Sequence, residues 1–196
     1  MTPYQCVLAD PPWKYRDKLA MTPETEGQHH VARSAEEVYR TVMTTDEICA
    51  LGDDYPNILG QEIAHDAVLW LYVTCPFLLN GDGARVCRAW GFQPKQLWTW
   101  VKGRISDDAV VGALGMGHYM RVDTEHLILA TRGHASKLVQ SHGLRNYVIV
   151  EPKGEHSEKP EEMYALIEQL SSGPRVEFFA RKHRLGWDAV GDELTD

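Results

Sequence analysis

Four residues near the start of the chain, Asp10-Pro11-Pro12-Trp13, place an acid, two carbonyls and an indole side by side. An exocyclic nucleobase amine is a poor nucleophile because its lone pair is delocalised into the ring. The Asp10 carboxylate and the Pro11 carbonyl could each accept one amine N–H, which favours a pyramidal nitrogen and stabilises the developing positive charge. Trp13 offers a stacking face for the base. The alternative is a strand that ends in a Pro-Pro turn, with Trp13 as a core aromatic.

The element that must position this tetrapeptide is the apolar run from Tyr4 to Ala9. Its composition predicts a buried strand, and the proline pair predicts where the strand ends, because proline cannot continue a sheet ladder. The tetrapeptide then follows the carboxyl end of a strand. In open α/β sheets this is the edge at which ligands bind.

The rest of the chain alternates predicted strands with predicted helices, so we expect one domain over residues 1–196. The pattern predicts an α/β fold with a mostly parallel sheet and helices on both faces. The polar segments 14–43 and 103–123 are expected to be mobile substrate loops. Strands are predicted at 4–9, 67–74, 96–102, 124–131, 147–150 and 175–181, and helices at 44–51 (ending at Gly52), 77–90 and 159–170, with Pro160 in the first turn.

The composition excludes several classes of protein. A net charge of −8 argues against non-specific coating of nucleic acid but allows an enzyme with a local basic patch. No secretory signal pattern or membrane-spanning apolar stretch is present in the sequence. The four cysteines are widely spaced without a C-x-x-C pair, and three of them lie within apolar or helical runs, which predicts buried thiols in a reducing cytosol. The pair His29-His30 lacks further ligands at zinc spacing, which favours a solvated loop.

Four motifs in the same order give the chain a resemblance to a known family. They are Asp10-Pro11-Pro12-Trp13; Gly115-Met116-Gly117-His118-Tyr119 with Thr124-Glu125-His126; His156-Ser157-Glu158-Lys159-Pro160-Glu161-Glu162; and Glu177-Phe178-Phe179-Ala180-Arg181 with Gly186-Trp187-Asp188 and Gly191-Asp192-Glu193. The ordered set resembles the MT-A family of N6-adenine methyltransferases, named for the seventy-kilodalton subunit of the eukaryotic mRNA methylating enzyme. The chain looks most like its compact bacterial and phage members.

The resemblance implies a Rossmann-like class I methyltransferase fold with permuted motif order. It implies S-adenosyl-L-methionine as the cofactor, direct methyl transfer to an adenine amine, and no metal. It also implies a nucleic-acid substrate, with DNA favoured over RNA, and a cytoplasmic location in a bacterial or phage-infected cell. A homodimer or heterodimer partner is left open.

The resemblance assigns residues to the cofactor. Lys159 matches the residue that holds the methionine carboxylate, with Ser157 beside it, and a lysine at a helix N-terminus suits a carboxylate. Glu177 on the last predicted strand matches an acid that could bind ribose hydroxyls. The remaining assigned positions are Asp10, Arg181, His183, Arg184, Asp192 and Glu193; Arg184 and Asp192 stand where the family often has asparagine.

On the substrate side, the resemblance assigns Glu125 and Tyr39 to positions near the target base, and Trp100 with Lys102 to a strand end beside it. Arg121 is a candidate phosphate contact. Solvated surface positions are the alternative for Lys159 and Arg121, and a core position is the alternative for Trp100.

Three other functions remain open at this point. An N4-cytosine methyltransferase needs the same amine chemistry as an N6-adenine enzyme, and an RNA N6-adenosine methyltransferase differs only in the polymer. The third is a non-catalytic nucleic-acid-binding or scaffold subunit of a methyltransferase complex. The intact tetrapeptide favours an enzyme, whereas Arg184 and Asp192 favour the scaffold.

Overall fold

The computed structural model describes residues 2–15, 42–59, 62–107, 109–112, 119–152 and 159–194. A sheet of eight strands runs through this part of the chain, in the order β4-β3-β5-β2-β1-β7-β8, with β6 pairing on β3. The strands are β1 (Tyr4–Ala9), β2 (Ile63–Val73), β3 (Gln93–Ser106), β4 (Ala109–Gly112), β5 (Thr124–Arg132), β6 (Tyr147–Val150), β7 (Arg175–Phe178) and β8 (Asp188–Val190). β1 lies inside the sheet, between β2 and β7, so Asp10, which follows β1, lies at the carboxyl end of an interior strand.

The helices of the described residues are α1 (Thr45–Leu59), α2 (Cys75–Leu79), α3 (Asp82–Ala89) and α4 (Glu161–Leu170), with a short 3-10 helix at Ala135–Leu138. Alternate residues of the central strands face two separate apolar clusters. Val7 and Leu69 pack with Ile48 of α1, whereas Leu8 and Trp70 pack with Met163 of α4. The prediction of helices on both faces of the sheet is confirmed. None of the described helices combines the length and apolar character needed to cross a membrane.

The sheet is mixed, so the expectation of a mostly parallel sheet is confirmed only in part: of the seven pairings between the described strands, four are parallel and three are antiparallel. β1 runs parallel to β2 and β7, β7 is parallel to β8, and β6 is parallel to β3. β5 is antiparallel to both β2 and β3, and β4 is antiparallel to β3. Apolar composition marks a buried strand but carries no information about its direction. The described residues between β3 and β5 hold strand β4 instead of the crossover helix that a parallel connection usually needs.

Helix α1 begins as predicted but does not end at Gly52. Thr44 and Glu47 cap its start reciprocally: Glu47 accepts the Thr44 backbone N–H at 2.7 Å, and Thr44 Oγ1 accepts the Glu47 N–H at 3.3 Å. The helix then continues to Leu59. A Cβ at position 52 would lie 2.8 Å from Cδ1 of Trp90, so Gly52 allows close packing against the Trp90 ring rather than ending the helix.

Several other predicted boundaries also need correction. The helix predicted at 77–90 is two helices, α2 and α3, separated at Gly81, whose φ of 82° is left-handed. The segment predicted as a flexible loop from residue 103 instead carries the end of β3 and strand β4. Pro160 is the N-cap of α4 rather than a first-turn residue. β7 ends at Phe178, before the left-handed Phe179 at φ 61°, and β8 was not predicted.

Candidate active site

A cleft lies at the sheet edge where β1 and β2 end. Asp10 follows β1 and Thr74 follows β2. Because β5 is antiparallel to β2, its amino end meets the same edge: His126 pairs with Val73, which brings the preceding Glu125 to the cleft. Antiparallel pairing therefore places an acid of β5 beside the acid that follows β1.

The cleft is a small pocket that is partly open to solvent. It draws its walls from segments far apart in the sequence, and Lys159, just before α4, closes one side. The lining residues are Asp10, Pro11, Trp13, Tyr15, Tyr72, Val73, Thr74, Glu125 and Lys159. Five of the predicted site residues thus come together here.

A network of charges spans the cleft. The Nζ atom of Lys159 lies 2.8 Å from Oδ2 of Asp10 and 3.0 Å from Oε2 of Glu125. Lys102 completes the network, with its Nζ 2.5 Å from Oε1 of Glu125. The Lys159 side chain is only 7% exposed, and its ammonium sits 4.6 Å from the centre of the Tyr72 ring. Lys159 is therefore a buried bridging residue and not a solvated one.

This network determines the charge of Glu125. Burial opposes ionisation of the carboxyl, but the ammonium groups of Lys159 and Lys102 outweigh it and hold the pKa of Glu125 below its usual range. The cleft therefore presents the ionised carboxylate of Glu125 at neutral pH.

The tetrapeptide turn uses some of the groups predicted for the substrate. The Pro11 carbonyl accepts the Trp13 backbone N–H at 2.9 Å, and the Pro12 carbonyl accepts the Met43 N–H at 2.8 Å. Both proline carbonyls therefore already accept a backbone N–H, although each carbonyl oxygen retains a second lone pair. Two acceptors were predicted for the substrate amine. The Pro11 carbonyl must share its oxygen with the Trp13 N–H, whereas the Asp10 carboxylate takes no part in that bond.

Trp13 is a packing residue in the structure. Its side chain is 4% exposed, its ring stacks on Phe77 with centroids 4.8 Å apart, and its Nε1 donates to the Tyr72 carbonyl at 3.1 Å. The ring also borders the cleft, but its orientation is fixed by these contacts. The expected base-stacking face is therefore replaced by the core position that was the alternative.

Glu177 lies on β7, next to β1, and is 8% exposed. Tyr164 of α4 donates its hydroxyl to Oε1 of Glu177 at 2.8 Å. Burial dominates the behaviour of this carboxyl and raises the pKa of Glu177 to about 7, although the hydrogen bond from Tyr164 works in the opposite direction. A buried acid at the end of a strand suits a hydroxyl-rich ligand, because each hydroxyl can donate to it.

Most of the remaining residues predicted for the cofactor follow Glu177 in the chain, either between β7 and β8 or after β8. Arg181 pairs with Glu193 at 3.1 Å. Arg184 donates to Glu161 at the start of α4, and its guanidinium lies 3.5 Å from the centre of the Tyr164 ring. The side chain that departs from the family pattern is thus bound to α4. His183 is exposed, Asp192 is also near the surface, and Ser157 lies outside the described residues.

Among the residues predicted for the substrate, only Glu125 lines the cleft, and Lys102 reaches it through Glu125. Trp100 is 2% exposed, packs in the α4-side core and donates its indole N–H to the Val150 carbonyl, so it occupies the core position that was the alternative and does not line the cleft. Arg121 is exposed. Tyr39 and the pair His29-His30 lie outside the described residues.

Two tyrosines of the cleft were missed from the sequence. Tyr72 is the second-last residue of β2, in the longest apolar run, where a tyrosine is typical of a core strand. Its place near the end of β2 was the only signal. Tyr15 donates its hydroxyl to Thr74 Oγ1 at 2.8 Å and packs edge-on against Phe77. It follows the tetrapeptide by two residues, and that proximity was the available signal.

Comparison with known families gives a match over nearly the whole chain. The model of the MT-A70 family covers residues 4–193. That range includes every element of the described fold and all the residues of the cleft.

Individual relatives agree with this match. The chain is 29% identical over 206 residues to the type II methyltransferase M.MunI of a Mycoplasma species, covering 98% of this chain and 78% of that protein. It is 29% identical over 195 residues to an N(6)-adenosine-methyltransferase MT-A70-like protein of Drosophila melanogaster. The same identity is found with the human N(6)-adenosine-methyltransferase catalytic subunit METTL3. The chain spans only 27% and 28% of the length of these two eukaryotic proteins.

Proposed function

The chain belongs to the MT-A70 family, and from this premise we propose that it is an N6-adenine methyltransferase that uses S-adenosyl-L-methionine and acts on DNA. The observation that carries the proposal is the Asp10 carboxylate, held by the buried Lys159 at the open edge of the sheet. The similarity to the type II methyltransferase M.MunI, which extends over 98% of this chain, supports DNA as the substrate. The strand that carries the tetrapeptide precedes the strand that carries Glu177, in keeping with a permuted motif order.

The residues of this edge fit the proposed cofactor. When bound, S-adenosyl-L-methionine supplies an electrophilic methyl group on a positively charged sulfur. The Asp10 carboxylate is partly exposed and can face this cation while it stays paired with Lys159, and Glu177 is a buried acceptor for ribose hydroxyls. The resemblance assigns Lys159 to the cofactor carboxylate, and its ion pairs add a second role, which is to orient Asp10.

The chain's own residues would prepare the amine. The Asp10 carboxylate accepts one N–H of the adenine amine and stabilises the positive charge that develops on its nitrogen. The Pro11 carbonyl can accept the second N–H on its remaining lone pair. The amine attacks without being deprotonated first, so no strong general base is required. Fixed placement of the amine therefore supplies most of the rate. An adenine in a duplex must leave the stack to reach the cleft.

The test is methyl transfer from labelled S-adenosyl-L-methionine to oligonucleotides of one sequence made as single-stranded DNA, duplex DNA and RNA, with the product base identified by mass spectrometry. We expect N6-methyladenine in DNA, and its loss in Asp10→Ala while cofactor affinity, measured by titration calorimetry, falls much less. Asp46→Ala is the matched control, because Asp46 is an exposed acid on α1. A product of N4-methylcytosine, methylation confined to RNA, or full activity in Asp10→Ala would each contradict the proposal.

Two further parts of the proposal concern the setting of the enzyme. We propose that it works in the cytoplasm of a bacterial or phage-infected cell. A second subunit, of the same or another chain, would add to a substrate surface that the overall charge of −8 leaves poor in positive charge. Light scattering with and without oligonucleotide tests for this subunit.

A further inference from the structure

Tyr72 carries a buried hydroxyl at the cleft. Its side chain is 3% exposed, and its hydroxyl has no hydrogen-bond partner among the residues that the structure describes. Three other buried side-chain atoms there share this property, in Trp98, Arg175 and Arg184, but none of those residues lines the cleft. An unpaired buried hydroxyl costs free energy that a phenylalanine would not, so its presence at a ligand site points to a partner on the ligand.

The surroundings of this hydroxyl define the chemistry of that partner. Burial, followed by the nearby charges of Glu125 and Asp10, raises the pKa of Tyr72 well above its usual range, so the phenol stays protonated and can donate. An anionic partner for this hydroxyl is disfavoured, because the hydroxyl already lies in the negative field of Glu125 and Asp10. The partner that fits is a neutral acceptor such as an aromatic ring nitrogen.

An adenine presents such an acceptor directly beside its amine. N1 flanks the amine on the Watson–Crick edge, and N7 flanks it on the Hoogsteen edge, so either edge offers a donor next to an acceptor. Asp10 and Tyr72 both line the cleft, and Lys159 contacts both residues. The Asp10 carboxylate can accept from the amine, and the Tyr72 hydroxyl can donate to the neighbouring ring nitrogen. Two such contacts fix the rotation of the base in its own plane, which one contact cannot do.

We propose that the Tyr72 hydroxyl donates a hydrogen bond to the ring nitrogen adjacent to the target amine and thereby orients the adenine against Asp10. This assignment rests on the proposed function and deepens it, because it names the part of the base that the cleft reads. It makes Tyr72 a substrate-binding residue, separate from the cofactor group around Glu177.

The experiment combines an enzyme variant with altered bases. Tyr72→Phe keeps the ring beneath Lys159 and removes only the hydroxyl. Binding is measured by fluorescence anisotropy on single-stranded DNA with one target adenine, in the presence of S-adenosylhomocysteine, and single-turnover methylation is measured in parallel. The same oligonucleotide is made with 1-deazaadenine and with 7-deazaadenine. Tyr4→Phe is the matched control, since it also removes a buried tyrosine hydroxyl but at the opposite end of β1.

We expect Tyr72→Phe to weaken binding and slow methylation of the adenine oligonucleotide by about five- to tenfold, the usual value of one neutral hydrogen bond. The difference from wild type disappears on the deaza base that lacks the partner nitrogen, and that base identifies the edge. An equal loss on all three oligonucleotides, or no loss on adenine, overturns the assignment of Tyr72 while wild-type methylation leaves the proposed function intact. A wild-type chain that does not methylate the adenine oligonucleotide overturns both. Thermal stability gives a second readout: the melting temperature of Tyr72→Phe is expected to equal or exceed that of wild type, whereas a purely structural hydroxyl would lower it.

Discussion

Replacement of Lys159 by methionine tests the buried charge network most directly. The variant keeps an unbranched side chain over the Tyr72 ring but removes the ammonium that Asp10 and Glu125 share. Removal of one partner from a buried ion pair costs about 3–5 kcal/mol, because the other charge is left uncompensated. Lys102 still pairs with Glu125, and Asp10 is partly exposed, so we expect the lower end, about 3 kcal/mol at pH 7.5.

The pH dependence of this loss follows from the direction of the shift. In the wild type the lysines hold the pKa of Glu125 below its unfolded value, so the stabilisation is present above that value and is lost as the pH falls through the folded pKa. Without Lys159, burial raises the pKa of Glu125, and the carboxyl can protonate in the folded variant. The cost should therefore shrink by about 1.4 kcal/mol for each pH unit below the variant's pKa.

The assay is urea unfolding of both proteins between pH 5 and pH 8, followed by tryptophan fluorescence. Lys102→Met is the control. Lys102 pairs with only one of the two cleft carboxylates, that of Glu125, and its side chain is more exposed than that of Lys159, so its cost should be smaller. A destabilisation below about 1 kcal/mol at pH 7.5, or one that does not change with pH, would refute the view that Lys159 is a buried bridging charge.

Three further changes test other parts of the structure. Gly52→Ala should lower the free energy of unfolding by about 1–3 kcal/mol, because its Cβ would lie 2.8 Å from Cδ1 of Trp90; a neutral result in urea would show that the helix can move. The pKa of Glu177 is raised to about 7 in the folded state, so wild-type stability should fall as the pH rises from about 4.5 to 7, and Glu177→Gln should remove this fall; the same dependence of stability on pH in both proteins would contradict this. Trp13→Phe should destabilise by about 1–3 kcal/mol through the lost bond to the Tyr72 carbonyl, yet retain most of the affinity for single-stranded DNA; a large loss of affinity in anisotropy would restore the stacking role.

The site was predictable where it depends on local chemistry. The strand Tyr4–Ala9 and the proline pair after it placed Asp10 at a sheet edge, and the structure has both. The strand Tyr147–Val150 was also correctly bounded. In each case a short apolar run stands between strong breakers, so the local signal and the tertiary structure agree.

What could not be predicted depends on contacts between distant parts of the chain. The approach of Glu125 to Asp10 requires β5 to run antiparallel to β2, and the residues of these two strands do not indicate their relative direction. Gly52 resembles a helix stop until the Trp90 ring packs against it. The indole of Trp13 looked available for a base, but the contacts with Phe77 and Tyr72 that fix it come from residues about 60 positions later.

The pairing of β1 also sets an order of events during synthesis. β1 is completed at residue 9, but its two neighbours are β2, which ends at residue 73, and β7, which ends at residue 178. Contacts between residues so far apart close slowly, because the chain between them must first be confined. On the ribosome, β1 would emerge long before β7. Its apolar side chains would stay exposed until β7 is made, and chaperones recognise such exposed apolar segments. The cleft that gathers Asp10, Glu125 and Lys159 can therefore form only when most of the chain has left the exit tunnel.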